Sequence, residues 1–279
     1  MKKLICFAAM LLVFGCDKKD KPDPQPTEEV TQQAPFGSGE VDVKLSKVRF
    51  NGLLEAEYIY EGNIFTEERR FVASPSPKFS QKGVYKRENG VPQKFEVMLR
   101  SQTPEGQNPA DTLRPYFSLT YAPASNDSIR EVTREDVQTG LKVLRVFAFD
   151  KSGYITRQEI WNDTKTDKAT YTYARNEQHN VTKSTTKALN STETSETQYT
   201  YDDRPNPFFK LGLDAYGEIS IRSLSPNNPI KETHMRNNVV ISNTIYTYEY
   251  LPNGYPKKIT VRVESTSFPP YSYTMDFDY

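Results

Sequence analysis

The sequence predicts an all-β protein, an antiparallel meander of hairpins that forms a broad, twisted sheet able to curl on itself. Two observations predict it, and a third excludes the obvious alternative. Aromatic residues recur two positions apart, which places both rings on one face of a strand. Each pair is followed by a cluster of Asp, Asn, Gly or Pro, the residues that tight turns need. Helical periodicity is scarce: Ser128–Val137 carries Ile129, Val132 and Val137 at loosely helical spacing, and the same stretch is compatible with a strand.

The chain of 279 residues opens on a basic start, Lys2 and Lys3, then an eleven-residue apolar run from Leu4 to Phe14, then Gly15-Cys16. That run suits the apolar region of a leader and falls short of the roughly 20 residues of a membrane helix. Val13-Phe14-Gly15-Cys16 resembles a bacterial lipobox, with Phe14 standing where a small residue is usual. The resemblance implies a leader over 1–15 and a diacylglyceryl anchor on Cys16. Cys6 leaves with the leader, so neither a disulfide nor a thiol nucleophile is expected. Residues 16–40 are polar and punctuated by proline, a lipid-anchored tether of on the order of 25 Å as a coil.

The hairpin region is expected over 41–279, with a subdivision near 140. Its clearest phrases are Tyr58-Ile-Tyr60 before Gly62-Asn63, Phe147-Ala-Phe149 before Ser152-Gly153, Tyr171-Thr-Tyr173 before Asn176, Tyr199-Thr-Tyr201 before Pro205-Asn206-Pro207, and Tyr246-Thr-Tyr248 before Pro252-Asn253-Gly254. Weaker copies surround Tyr85, Leu119-Tyr121 and Tyr271-Ser-Tyr273. Return strands follow the turns, as at Ile155–Trp161, Val181–Lys183 and Ile259–Val263. Insertions at 187–196 and 208–234 lengthen two loops.

At these residues the chain resembles the RHS/YD-repeat family, most closely at Tyr199-Thr-Tyr201-Asp202 and Phe147-Ala-Phe149-Asp150. It also resembles small YD-type lipoproteins of Bacteroidetes, on Tyr201-Asp-Asp-Arg-Pro-Asn-Pro-Phe208. The resemblance implies stacked hairpins and an outer-membrane lipoprotein facing the periplasm or the cell surface. The chain is expected to be too short to close the β-shell of the large RHS proteins.

Formal charge is zero, and loss of Lys2 and Lys3 leaves 34 basic against 36 acidic residues. That balance offers no basic patch for nucleic acid. Mean hydropathy is −0.72 although the chain holds 18 Tyr and 15 Phe. His179 and His234 lack a nearby metal-ligand partner in sequence, so no metal, cofactor or catalytic residue is expected. Asp202, in the Asp202-Asp203 pair, is read as a turn cap in preference to a calcium ligand. Glu67-Glu68-Arg69-Arg70 is read as a solvated strand face with cross-strand ion pairs. Asp111-Thr112-Leu113 and Asp127-Ser128-Ile129 resemble Bacteroidetes O-glycosylation sites, at Thr112 and Ser128.

The functional candidates are six tyrosines, Tyr171, Tyr173, Tyr199, Tyr201, Tyr246 and Tyr248, which either brace the strands or stack on a ligand. The expected function is a non-enzymatic, lipid-anchored envelope protein that binds a glycan or another envelope protein. The alternatives are an assembly component acting by β-strand addition and, less favoured, an uncharacterised enzyme.

Overall fold

The computed structural model describes residues 41–72, 78–88, 91–100, 113–122, 129–162, 164–166, 168–188, 193–209, 211 and 221–279. The leader, Cys16, the tether, Thr112 and Ser128 lie outside the described residues. Sixteen strands follow in chain order: β1 Lys47–Phe50, β2 Leu53–Glu61, β3 Ile64–Val72, β4 Lys78–Glu88, β5 Val91–Arg100, β6 Leu113–Tyr121, β7 Ile129–Asp136, β8 Lys142–Phe149, β9 Ile155–Trp161, β10 Lys168–Arg175, β11 Val181–Ala188, β12 Thr194–Pro205, β13 Asn227–Arg236, β14 Val239–Tyr250, β15 Pro256–Ser265 and β16 Tyr271–Asp278. One helical turn, α1 Ile221–Leu224, precedes β13. Within the ambiguous stretch, Ile129–Asp136 is strand β7.

Each strand pairs antiparallel with its neighbours in sequence, and β1 pairs with β16, so the meander closes into a barrel. This corrects the expectation of an open sheet. The ladder of β7 and β8 runs across residue 140. The closing register sets Lys47 opposite Asp278 and Phe50 opposite Met275, and Arg49 donates to Asp278 at 2.6 Å across the seam. Closure leaves no free sheet edge along the described strands, which removes the pairing hazard of a long open sheet.

The two faces of the barrel wall differ in chemistry. Inward positions carry Ala56, Tyr58, Phe65, Phe95, Val97, Phe117, Leu119, Val132, Phe147, Val261 and Phe277, all buried. Outward positions carry ion pairs: Glu67 with Arg69 and Lys82, each at 2.7 Å, Glu96 with Lys86 and Lys94 at 2.5 and 2.9 Å, and Glu159 with Lys168 at 3.0 Å. These neighbours hold the Glu67, Glu96 and Glu159 carboxyls below the usual range; for Glu67 and Glu159 burial pushes the other way and loses. Partly exposed pairs of this kind contribute about 0–1 kcal/mol each to stability.

The alternation divides the Glu67–Arg70 run, which corrects its reading as one solvated face. Glu67 and Arg69 point outward, whereas Glu68 is only 1% exposed and meets the inward-facing Arg70 at 2.6 Å. Burial pushes the Glu68 carboxyl up, against the pull of Arg70.

Sixteen strands enclose more space than inward side chains fill alone. Part of it is taken by the connection between β12 and β13, where Phe208, Leu211 and Leu224 are buried and Phe208 meets Phe277 edge-on at 5.8 Å. Between β4 and β5, Gly83 lets the Phe95 ring lie against the backbone; a Cβ there would come within 2.5 Å of that ring. Phe95 in turn stacks on Tyr85 at 4.3 Å.

Candidate functional site: a bulged rim and a tyrosine cleft

Five hairpins share a defect at the same place. The register slips near the turn in the pairs β2–β3, β4–β5, β8–β9, β10–β11 and β14–β15, leaving Thr66, Gln93, Thr156, Thr182 and Lys257 as the extra residue on the returning strand. Bulges at a barrel rim increase twist locally and break the ladder by one residue. Where the bulged residue is threonine, its hydroxyl donates back across the hairpin: Thr66 to the Ile59 carbonyl at 3.2 Å, Thr156 to Ala148 at 3.2 Å and Thr182 to Ala174 at 3.3 Å.

The carbonyl just before each bulge takes a long side chain from farther along the chain. Arg87 donates to Phe65, Arg130 to Pro92 at 2.6 Å, Arg175 to Ile155 at 3.0 Å, Tyr201 to Val181 at 2.7 Å and Tyr279 to Pro256 at 2.9 Å. Tyrosine and arginine interchange in this role because both carry a donor at the end of a long, partly apolar stem. The second aromatic of Tyr199-Thr-Tyr201 is one such clamp, and the irregular spacing of the phrases hid the rule from the sequence. A Thr directly after an apolar residue at the start of a return strand, as in Phe65-Thr66, Ile155-Thr156 and Val181-Thr182, was the available signal.

All six candidate tyrosines lie on the inner face. Tyr199 and Tyr201 sit side by side, ring centroids 6.5 Å apart, with Thr200 exposed on the outer face, as the period of two predicts. Their hydroxyls lean back over the preceding strand: Tyr173 reaches Gln158 at 3.4 Å, Tyr199 meets Ser184 at 3.0 Å, Tyr246 reaches Glu232 at 2.7 Å and Tyr248 reaches the Pro229 carbonyl at 2.7 Å. Burial pushes the Tyr199 phenol up to about 12, with the Ser184 bond pulling it back, and burial likewise raises Tyr173 and Tyr201. All three therefore remain protonated donors in neutral water. Tyr246 is buried; the other five are half-buried.

A cleft opens where β11 and β12 separate. Their pairing ends at Lys183 opposite Gln198, and the gap beyond is bridged by side chains. Ser225 accepts from the Val181 amide at 3.0 Å and donates to the Tyr201 hydroxyl at 2.9 Å, while Asn180 and Asn227 exchange bonds of 2.8 and 3.0 Å. The resulting cavity of about 790 Å³ is lined by Asn176, Gln178, Tyr199, Tyr201, Asp202 and Asp203 among others. The bridging residues Ser225 and Asn227 come from the long insertion, and nothing in the sequence marked them.

Asp202 accepts from the amides of Arg204 at 2.9 Å and Asn228 at 3.2 Å and from the Tyr250 hydroxyl. It is a backbone cap, as its turn position predicts. Asp203 borders the cleft with its side chain 91% exposed, 3.4 Å from Arg204 Nε. His179 stacks on Tyr154 at 4.3 Å, and His234 meets Thr197 on the inner wall at 3.0 Å. Among the described residues no group of three or more His, Cys, Asp or Glu could hold a metal ion, and no helix is long and apolar enough to cross a membrane.

No protein-family model matches the chain, and no curated protein does. The chain is similar to two solved structures, each described as a porin-like protein. The one from Bacteroides uniformis has 13% identity and a TM-score of 0.37, over 87% of this chain and 99% of that one. The one from Bacteroides vulgatus has 12% identity and a TM-score of 0.39, over 85% of this chain and 99% of that one.

Proposed function

We propose that this protein is a lipid-anchored, non-enzymatic binding protein of the outer membrane whose barrel stands in water and takes a polar, glycan-like ligand at the tyrosine cleft. The carrying observation is the outer face of the wall. A barrel that crosses a bilayer needs an apolar outward band, and each Lys or Arg at the midplane costs about 2–4 kcal/mol. Here outward positions hold Lys82, Lys86, Lys94, Arg157, Lys168, Lys183 and Arg262 with their acidic partners. That distribution supports attachment through Cys16 in place of insertion.

The cleft supports the ligand class. Tyrosine gives a flat apolar face with a polar tip, and Asn176, Gln178 and Asp203 surround it with amide and carboxylate groups that match hydroxyl-rich partners. Strand addition is the weaker reading, because the closed barrel offers it no full-length edge. Neither reading calls on a cofactor or on nucleic acid.

The test compares the full chain with Cys16→Ala by fractionation and lipid-analogue labelling, alongside conductance in planar bilayers. The expected result is a labelled wild type in the membrane fraction, an unlabelled variant released from it, and no channel currents. A variant that stays in the membrane and conducts ions would refute the anchored, water-standing barrel. For the cleft, Tyr199→Ala should abolish retention on immobilised envelope glycan; unchanged retention would refute the site.

A further inference from the structure

The outer wall carries paired charges, and the inner wall between β4 and β8 carries a set of arginines. Arg87 on β4, Arg130 and Arg134 on β7 and Arg145 on β8 all belong to the inward-facing set; Arg130 is only 3% exposed and Arg145 4%. Arg134 has Asp136 within electrostatic reach. Arg87 and Arg130 are different. The groups that act on Arg87 are the phenols of Tyr85 and Tyr121, and the group that acts on Arg130 is the phenol of Tyr121, with no carboxylate among them. Burial alone holds both guanidiniums below their ordinary range.

Arg87 reaches back to the Phe65 carbonyl on β3, Arg130 Nη2 reaches the Pro92 carbonyl on β5 at 2.6 Å, and the Tyr121 phenol acts on both. Each guanidinium lies over a tyrosine ring, Arg87 over Tyr85 at 4.7 Å and Arg130 over Tyr121 at 5.2 Å. After the bonds to carbonyl oxygens, Arg87 Nε and Nη2 and Arg130 Nε are buried with no acceptor among the described residues. A buried charge without a partner is strongly disfavoured, and guanidinium donors left unmet add to that. Stacking on a ring compensates the flat faces of the cation and does nothing for the N–H groups at its edge.

We propose that Arg87 and Arg130 form an anion-binding site inside the barrel wall, beside Tyr121, that takes the carboxylate or phosphate group of a small organic ligand. Both anion types present oxygens at the spacing of the guanidinium edge, and both carry the negative charge that neither Arg87 nor Arg130 meets among the described residues. The neighbouring Phe65, Tyr85 and Tyr121 are buried, so the bond between anion and guanidinium is little screened by water. The site is separate from the tyrosine cleft between β11 and β12 and does not rest on it.

The experiment titrates the full chain, purified in a non-ionic detergent, with inorganic phosphate and separately with octanoate, following heat by calorimetry and the melting temperature. At least one of the two should bind saturably and raise the melting temperature. Arg130→Met should weaken that binding at least about tenfold, the expected loss of one charge-assisted contact. Arg262→Met, on the outer face, should bind as the wild type does. Binding of phosphate alone identifies a phosphate ester as ligand; binding of octanoate alone identifies a carboxylate. If Arg130→Met does not fold, Arg87→Met serves the same comparison. Failure of both anions to bind, or undiminished binding to the folded inner-wall variant, would overturn the site.

Discussion

Removing one oxygen atom at Tyr201 tests whether the second aromatic of each phrase is a clamp. In Tyr201→Phe the ring stays on the inner wall, but the Val181 carbonyl loses its 2.7 Å donor and Ser225 loses the acceptor it held at 2.9 Å. Val181 is fully buried, so its carbonyl cannot turn to bulk water. An unmet buried acceptor of this kind costs about 1–3 kcal/mol. For a domain of this size that is a fall in melting temperature of roughly 2–10 °C. Arginine fills the equivalent role at Arg87 and Arg175, so Tyr201→Arg should keep most of the stability that Tyr201→Phe loses. Replacing both Tyr199 and Tyr201 by Ala removes the rings as well. Loss of a fully buried large aromatic costs about 3–5 kcal/mol each, reduced here because both rings are half-buried. Calorimetric melting of the four proteins decides the matter. If Tyr201→Phe melts with the wild type, the clamp holds nothing. If the double Ala variant also melts normally yet loses glycan retention, the tyrosines serve the ligand and not the wall.

Gly83→Ala should destabilise by about 1–3 kcal/mol, since the new Cβ must displace the Phe95 ring; a melting temperature equal to the wild type would show that the ring has room. Thr66→Val, Thr156→Val and Thr182→Val should each cost about 0.5–1.5 kcal/mol and add together in denaturant melts, because they sit in separate hairpins. Glu68 and Glu159 should respond to pH with opposite signs. The raised carboxyl of Glu68 favours the folded state while protonated, and that contribution is lost as pH climbs from the ordinary value of 4.5 toward its raised folded value; Glu68→Gln should therefore gain on the wild type above about pH 4.5 and match it below. The lowered carboxyl of Glu159 contributes above its ordinary value and is lost as pH falls through its folded value, so Glu159→Gln should lose stability at neutral pH and converge with the wild type in acid. Urea titrations at pH 3, 5 and 7 would expose either sign being wrong.

Much of the local structure was legible in the sequence. Tyr199-Thr-Tyr201 gave the strand, its inward and outward faces and its turn, because alternation and turn chemistry are properties of a few adjacent residues. The same rule, applied to Glu67-Glu68-Arg69-Arg70, contained half of the answer. It puts Glu67 with Arg69 and Glu68 with Arg70 on opposite faces, but the bulge at Thr66 shifts the phase set by Phe65 and decides that Glu68 and Arg70 go inward, where they pair in a buried site. Asp202 was legible as a cap because its short carboxylate reaches the next amides of its own chain.

What the sequence determined by itself was a succession of hairpins, each specified by contacts between residues close along the chain. Closure, the buried ionic groups and both candidate sites were decided by tertiary structure. Arg49 meets Asp278 across 229 positions, and that meeting depends on the twist accumulated over sixteen strands, to which each rim bulge contributes. Arg130 reaches a carbonyl 38 positions away, and Asn180 meets Asn227 from 47. Alternation is set by the geometry of one strand, but the identity of the groups that converge inside the wall is set only once every strand has found its neighbour and the last has found the first.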